Sequence, residues 1–282
     1  MKLNKLEVDL GGGSLLQIAN RSHVQMMSYL IETPNGETVM IDGGYACKED
    51  AEYLYEILKK RGGDIELWII NHAHEDHFGA LLWMLENMKD FNLNIKRLAF
   101  SFPPLEWFKT AEGGASYKWV ERFLNQLKIH NINTELLVKD EIIELGNMSF
   151  EILNDCSNYL NYHTVNDTTI VVLAHFPKRD ILFLGDLAES GGKDLLSSCD
   201  IKKLRCDIVQ MAHHGQNGVN RDFYSVVKPK ICLYTAPDWL WENDSGSGKN
   251  SGPWKTLETR RWMEELGAEQ SCPHAFGDYL LY

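Results

Sequence analysis

Short β-type apolar runs broken by turn residues fill the first third of the chain, and they predict strands at 15–19, 26–32 and 38–41. Thr33-Pro34-Asn35-Gly36 separates the last two. Asn-Gly between strand-like runs predicts a hairpin, because its residues tolerate the left-handed backbone of a tight turn. The spacing then changes. Ala51, Leu54, Tyr55 and Leu58 recur at helical intervals within 49–61, and Gly62-Gly63 ends that helix before an apolar stretch at 65–70.

Further along, the pattern predicts a helix at 79–88, a strand at 95–100, a helix at 117–130 and a strand at 148–153. The second half repeats the alternation, with strands at 169–174, 181–184, 206–211 and 230–234, and helices near Lys193, at 219–227 and at 256–266. Strands and helices mixed through both halves predict an α/β fold of two sheets packed face to face with helices outside. No linker-like stretch divides the chain, so a single domain over 1–282 is expected. Two segments fit no element: 101–116, with Pro103-Pro104, Trp107 and Phe108, and 236–253, with Trp239, Trp241 and many Gly and Ser. Long irregular segments often serve a site, although their aromatics can equally cap a core.

Composition narrows the picture. A hydrophobic share of 44% over 282 residues supports a sizeable core without disulfides. The six cysteines, Cys47, Cys156, Cys199, Cys206, Cys232 and Cys272, form no C-x-x-C pair and read as reduced, packed thiols. Residues 1–7 lack the apolar core of a signal peptide, and no segment approaches the ~18 apolar residues of a membrane span. A cytoplasmic protein with no membrane partner is expected. The formal charge of −12, with no basic run, disfavours a long nucleic acid. Bound divalent cations would still make a pocket locally positive, which leaves a small anionic substrate open.

The densest chemistry lies at Ile70-Asn71-His72-Ala73-His74-Glu75-Asp76-His77, directly after an apolar strand. An extended strand end sends His72 and His74 to one side, while a tight turn into the next helix brings Asp76 and His77 round to a second centre. Imidazole and carboxylate without cysteine suit zinc, manganese or iron at an open hydrolytic site rather than a sealed structural one.

His72-x-His74-x-Asp76-His77 resembles the H-x-H-x-D-H signature of the metallo-β-lactamase superfamily. Supporting motifs stand in that family's order: Val39-Met40-Ile41-Asp42-Gly43-Gly44 before it and Leu182-Phe183-Leu184-Gly185-Asp186 after it. Val209-Gln210-Met211-Ala212-His213-His214-Gly215 resembles the H-H-G of a branch that includes the nuclease-like domains of ComEC-related competence proteins and the phosphorylcholine esterases. The resemblance implies an αββα four-layer sandwich and two divalent metal ions, zinc foremost, with Asp186 as the shared bridge.

It also implies hydrolysis by a metal-bound hydroxide, with Asp76 and His214 in catalytic roles. Asp42 is carried over as a residue that orients a ligand; alternatively it is a plain turn aspartate. If the strand before them continues, His213 and His214 alternate faces, so only one is expected to ligate directly. The remaining ligand has two readings. His163-Thr164, twenty-three residues ahead of Asp186, matches the family's G-H-T context, and the stretch Asn166-Asp167-Thr168-Thr169 matches the competence-like branch. His163 is the expected ligand of the two.

A small phosphodiester is the expected substrate. Thioesters, lactones and lactams are the alternatives within the superfamily, and a di-iron oxidoreductase or a non-catalytic binding member are alternatives of other classes.

Overall fold

The computed structural model describes residues 2–282. Its chain forms two large sheets. Across the first, the strands run in the order Leu3–Leu6, Asp278–Leu281, Ser14–Gln17, Tyr29–Glu32, Thr38–Ile41, Leu67–Ile70, Leu98–Phe100 and Thr134–Leu136. Across the second the order is Ile142–Leu145, Met148–Ile152, Val172–His175, Asp180–Phe183, Ile208–Gln210, Ile231–Tyr234 and Gln270–Pro273. Both sheets mix parallel and antiparallel pairs.

Strand side chains alternate between faces, and here both faces are apolar because both are covered. From Leu67–Ile70, Leu67 and Ile69 point into the core between the sheets, where they meet Phe150, Ile181 and Phe183 of the second sheet. Trp68 and Ile70 point the other way, onto the helices Lys48–Lys60, Glu75–Asn87 and Tyr117–Ile129. In the second sheet Leu182, Val209 and Cys232 face outward, under Glu189–Ser198, Arg221–Val227 and Thr256–Glu265. Each fully buried Leu, Ile or Phe contributes about 1.5–3 kcal/mol through area removed from water. The result is four layers in the order helix, sheet, sheet, helix, as expected.

The hairpin at 33–36 forms as its turn residues predict, with Glu37 N–H bonded to the Thr33 hydroxyl oxygen and Gly36 N–H to the Thr33 carbonyl. The helix expected at 79–88 instead begins at Glu75, so Asp76 and His77 lie in its first turn rather than in a turn before it. The strands Leu3–Leu6, Thr134–Leu136, Ile142–Leu145, Gln270–Pro273 and Asp278–Leu281 lie outside the expected ones. Among the described residues no helix is long and apolar enough to cross a membrane. The six thiols are free.

Candidate metal centre

Most of the acidic and imidazole side chains of the site sit just past a strand end, with Asp76 and His77 in the helix turn that follows one. Leu67–Ile70 is buried along its whole length, and the chain stays extended past it until His74 (φ −96°, ψ 155°) caps the next helix. His72 and His74 therefore share a side, with His72 Nε2 2.9 Å from His74 Nδ1. Asp186 follows Asp180–Phe183 through Gly185, whose φ is +50°. A Cβ at Gly185 would stand 2.6 Å from Asn71 Oδ1, so only glycine lets the two sheets' ends approach this closely.

His213 and His214 depart from the expected alternation. The strand stops at Gln210, and His213 (φ 52°), His214 (φ 58°) and Gly215 (φ 83°) make three successive left-handed residues. Each non-glycine in that region costs about 1–2 kcal/mol. The turn aims both rings at one carboxylate: His213 Nε2 is 3.7 Å from Asp186 Oδ2, and His214 Nε2 is 3.6 Å from Asp186 Oδ1. Gly215 packs against the Tyr234 ring, leaving no room for a side chain.

Two groups of possible ligand atoms result, each with its members within 4.8 Å of one another: Asp76, His77, Asp186 and His214, and His72, His74 and Asp186. Asp186 belongs to both. Neither His213 nor His163 belongs to either, although His213 Nε2 lies 3.7 Å from Asp186 Oδ2. His163 is exposed, in the loop between the turn Tyr159–Asn161 and the capping residue Thr164, and its expected place as a ligand is not supported. The 166–169 stretch does reach the site, through Thr169 at His72 and Asn166 at 3.4 Å from His213 Nδ1.

Each histidine is anchored through one ring nitrogen and presents the other. His77 donates Nδ1–H to Asp42 Oδ2 at 2.9 Å, and Asp42 Oδ1 accepts the Asn71 N–H at 2.9 Å, so Asp42 orients a ring rather than merely turning the chain. His214 donates Nδ1–H to Thr235 O at 3.1 Å and His213 to Asn217 O at 3.3 Å. Thr169 gives its hydroxyl proton to Asn166 O, so its oxygen accepts His72 Nδ1–H at 3.0 Å. His74 donates Nε2–H to Glu112 Oε2 at 2.9 Å.

Those anchors leave His72 Nε2 and His74 Nδ1 as two lone pairs facing each other at 2.9 Å. Such a pair is stable only with a proton or a cation to share. Beside it, His77 Nε2, His214 Nε2 and Asp186 Oδ1 are buried without a hydrogen-bond partner, although His77 Nε2 approaches Asp186 Oδ1 at 3.2 Å and His214 Nε2 approaches Asp76 Oδ2 at 2.9 Å. Buried polar atoms left bare cost about 1–3 kcal/mol each. Divalent cations would satisfy all of them, so the residues fit a two-metal centre.

The charges agree. Burial and the neighbouring His74 and His77 hold His72 well below the usual imidazole range, hence neutral. Burial acts in the same sense on His77, but Asp186, Asp42 and Asp76 outweigh it and raise this ring well above the usual value. Burial opposes ionisation of Asp186, yet His77, His214 and His213 hold it well below the ordinary carboxylate range. The centre is a set of carboxylates balanced by imidazoles.

A mouth of about 460 Å³ opens over His74, Asp76, Asp186 and His213. Both irregular segments reach it, 101–116 through Ala115 and Ser116 and 236–253 through Trp239. Trp239 is braced by Trp254, 4.8 Å between ring centroids, and donates Nε1–H to His23 O. Trp241 is buried against Tyr234 beneath the Arg260 guanidinium, and Trp107 packs on Phe108 and Tyr159, so these two do not line the mouth. Glu112 and Thr235 were absent from the sequence expectations. Glu112-Gly113-Gly114 signals only a turn, and Thr235 only the end of a strand.

The family model described as the metallo-beta-lactamase superfamily matches residues 23–228. No curated protein matches the chain. Among solved structures, the metallo-beta-lactamase fold protein YhfI from Bacillus subtilis aligns with a TM-score of 0.55 at 10% identity, over 95% of this chain and 99% of that one. CmlA, a diiron beta-hydroxylase from Streptomyces venezuelae, aligns with a TM-score of 0.53 at 13% identity, over 96% of this chain and 54% of that one. The chain thus spans about half the length of CmlA. At these identities the likeness is one of fold.

Proposed function

The chain belongs to the metallo-β-lactamase superfamily, and on that premise we propose that it is a hydrolase of small phosphodiesters working with two divalent metal ions, zinc before manganese or iron. The observation that carries this reading is the bare, buried Asp186 Oδ1 between two sets of inward-facing imidazole nitrogens. His72, His74 and Asp186, with His213 in the place expected of His163, would hold one ion. Asp76, His77, His214 and Asp186 would hold the other. When bound, the ions supply an activated water and positive charge against the developing anion. Asp76 lines the mouth while its Oδ2 lies 2.9 Å from His214 Nε2, so besides holding its ion it would be placed to orient, and accept a proton from, a water that enters the mouth.

The mouth itself favours a singly charged diester. No Lys or Arg lines it among the described residues, and Glu75 stands at its rim beside Tyr45 and Trp239. A terminal phosphate with two negative charges, or a polyanion, would meet Glu75 without a protein cation to offset it. The structure does gather Lys178, Arg179, Arg205, Lys228 and Lys230 round one cavity, a cluster the linear sequence hides. That cavity lies at the opposite ends of the strands, where Asp180 and Asp207 partly neutralise it.

The test is a turnover screen with zinc and with manganese over small aryl phosphodiesters, thioesters, lactones, lactams and a long single-stranded DNA. Small diesters are expected to turn over fastest. A thioester, lactone or lactam turned over faster, or DNA preferred at physiological salt, overturns the substrate assignment.

A further inference from the structure

We propose that Glu112 is a positioning residue that sets the ring of His74 for metal binding and couples metal occupancy to closure of the 101–116 loop. This rests on the two-metal reading above. One carboxylate grips two distant segments: Oε2 accepts His74 Nε2–H at 2.9 Å, and Oε1 accepts the Val165 N–H at 2.9 Å. The first bond fixes which nitrogen of His74 carries the proton, so that the Nδ1 lone pair faces His72 Nε2. The second holds the turn Val165–Thr168, which is followed at once by Thr169, the residue that orients His72. Glu112 thereby supports both imidazoles of one ligand group.

The backbone points the same way. Glu112 is left-handed (φ 51°, ψ 32°) and opens a run that Gly113 (φ 68°) and Gly114 (φ 85°) continue without strain, so Glu112 is the one residue of the three that carries a side chain there. A non-glycine kept in that region costs about 1–2 kcal/mol, and strain of this kind persists where the surrounding structure needs the side chain in one place. Ala115 and Ser116 come next and form part of the mouth. A cation on His74 Nδ1 withdraws charge from the ring and strengthens Nε2–H as a donor, which tightens the bond to Glu112. The loop and the metal then stabilise each other, as linked equilibria must.

The experiment titrates the chelator-stripped full chain with Zn2+ alone, in wild type, E112Q and E112A. Zinc affinity is read by competition with a chromophoric chelator, and hydrogen exchange is followed in 105–116 and 164–169 at each loading. Glutamine has one acceptor oxygen for two donors, so it loses one arm; alanine loses both and adds no bulk to the turn. Wild type is expected to bind two zinc ions and to slow exchange in both segments as they load. Both variants should bind one of the two ions about 10–100-fold more weakly, with the other unchanged and with loop exchange indifferent to zinc. If wild type binds two ions and the variants match it in both affinities and in loop exchange, the role of Glu112 is overturned while the two-metal reading stands. If wild type binds no zinc, both fail.

Discussion

The Nδ1 of His77 lies 2.9 Å from the Oδ2 of Asp42, and neither side chain has any exposed surface. The bond decides which face of the ring is left for a metal. Asp42→Asn keeps an oxygen for the Asn71 N–H but turns an NH2 group towards His77, which forces the proton onto Nε2, the nitrogen that faces Asp186. Zinc affinity at the site containing His77 is expected to fall about 10–100-fold, measured by competitive chelation. Asp42→Ala leaves both donors bare in the interior and should also cost about 3–5 kcal/mol of stability in denaturant titration. Unchanged zinc affinity in the asparagine variant would show that Asp42 only turns the chain.

Asp186 is common to both ligand groups, so its loss should be felt at both. Wild type is expected to carry about two divalent ions per chain, and Asp186→Ala about one or fewer, because two cations would then face each other without a shared anion. Elemental analysis after dialysis checks this. Full stoichiometry in the variant would remove Asp186 from the centre.

His163 gives the opposite expectation. It is exposed and lies outside both groups, so His163→Ala should keep both ions and its zinc affinity within experimental error. His213 also lies outside both groups, but it lines the mouth with its Nε2 3.7 Å from Asp186 Oδ2, so His213→Ala should lose one ion. The reverse pattern in the same dialysis experiment would return His163 to the ligand set.

Zinc uptake should release protons. Three rings stand above the usual imidazole range: burial works against the charged form of each, but Asp186, Asp42 and Asp76 raise His77, Glu112, Asp76 and Asp186 raise His74, and Asp186 and Asp76 raise His214. A ligand must be neutral, so the metal displaces whatever protons these rings hold. Because the pKa values are raised, protonation competes over a wider range of pH, and apparent affinity should climb as pH rises through them. His72, held low by burial, contributes nothing to this release. Calorimetry of zinc binding in buffers of different ionisation enthalpy measures the proton count. A count of zero at pH 6 would contradict the charge balance described for the centre.

Much of this was legible in the sequence for a definite reason. Periodicity reports burial, and Leu67–Ile70 or Lys48–Lys60 lie squarely on buried faces. Closely spaced ligands on one strand end, such as His72 and His74, need only local geometry to be read. What escaped depended on distance along the chain. The strand Asp278–Leu281 finds its partners more than 260 residues away, and Glu112 reaches His74 only because an irregular loop folds back. The turn at His213 and His214 lies beyond the reach of alternation, which assumes a continuing strand, and no pattern of apolar residues announces three left-handed residues in a row.

The strand Asp278–Leu281 is inserted between Leu3–Leu6 and Ser14–Gln17, parallel to the first and antiparallel to the second. During synthesis, residues 3–6 and 14–17 precede their partner strand by more than 260 positions and must wait for it. Until then Ser14–Gln17 presents an unpaired edge, a surface on which neighbouring nascent chains can stack. Completion of this edge therefore waits until residues 278–281 have emerged, and a shortened product that ends before residue 278 would carry a standing liability to aggregate.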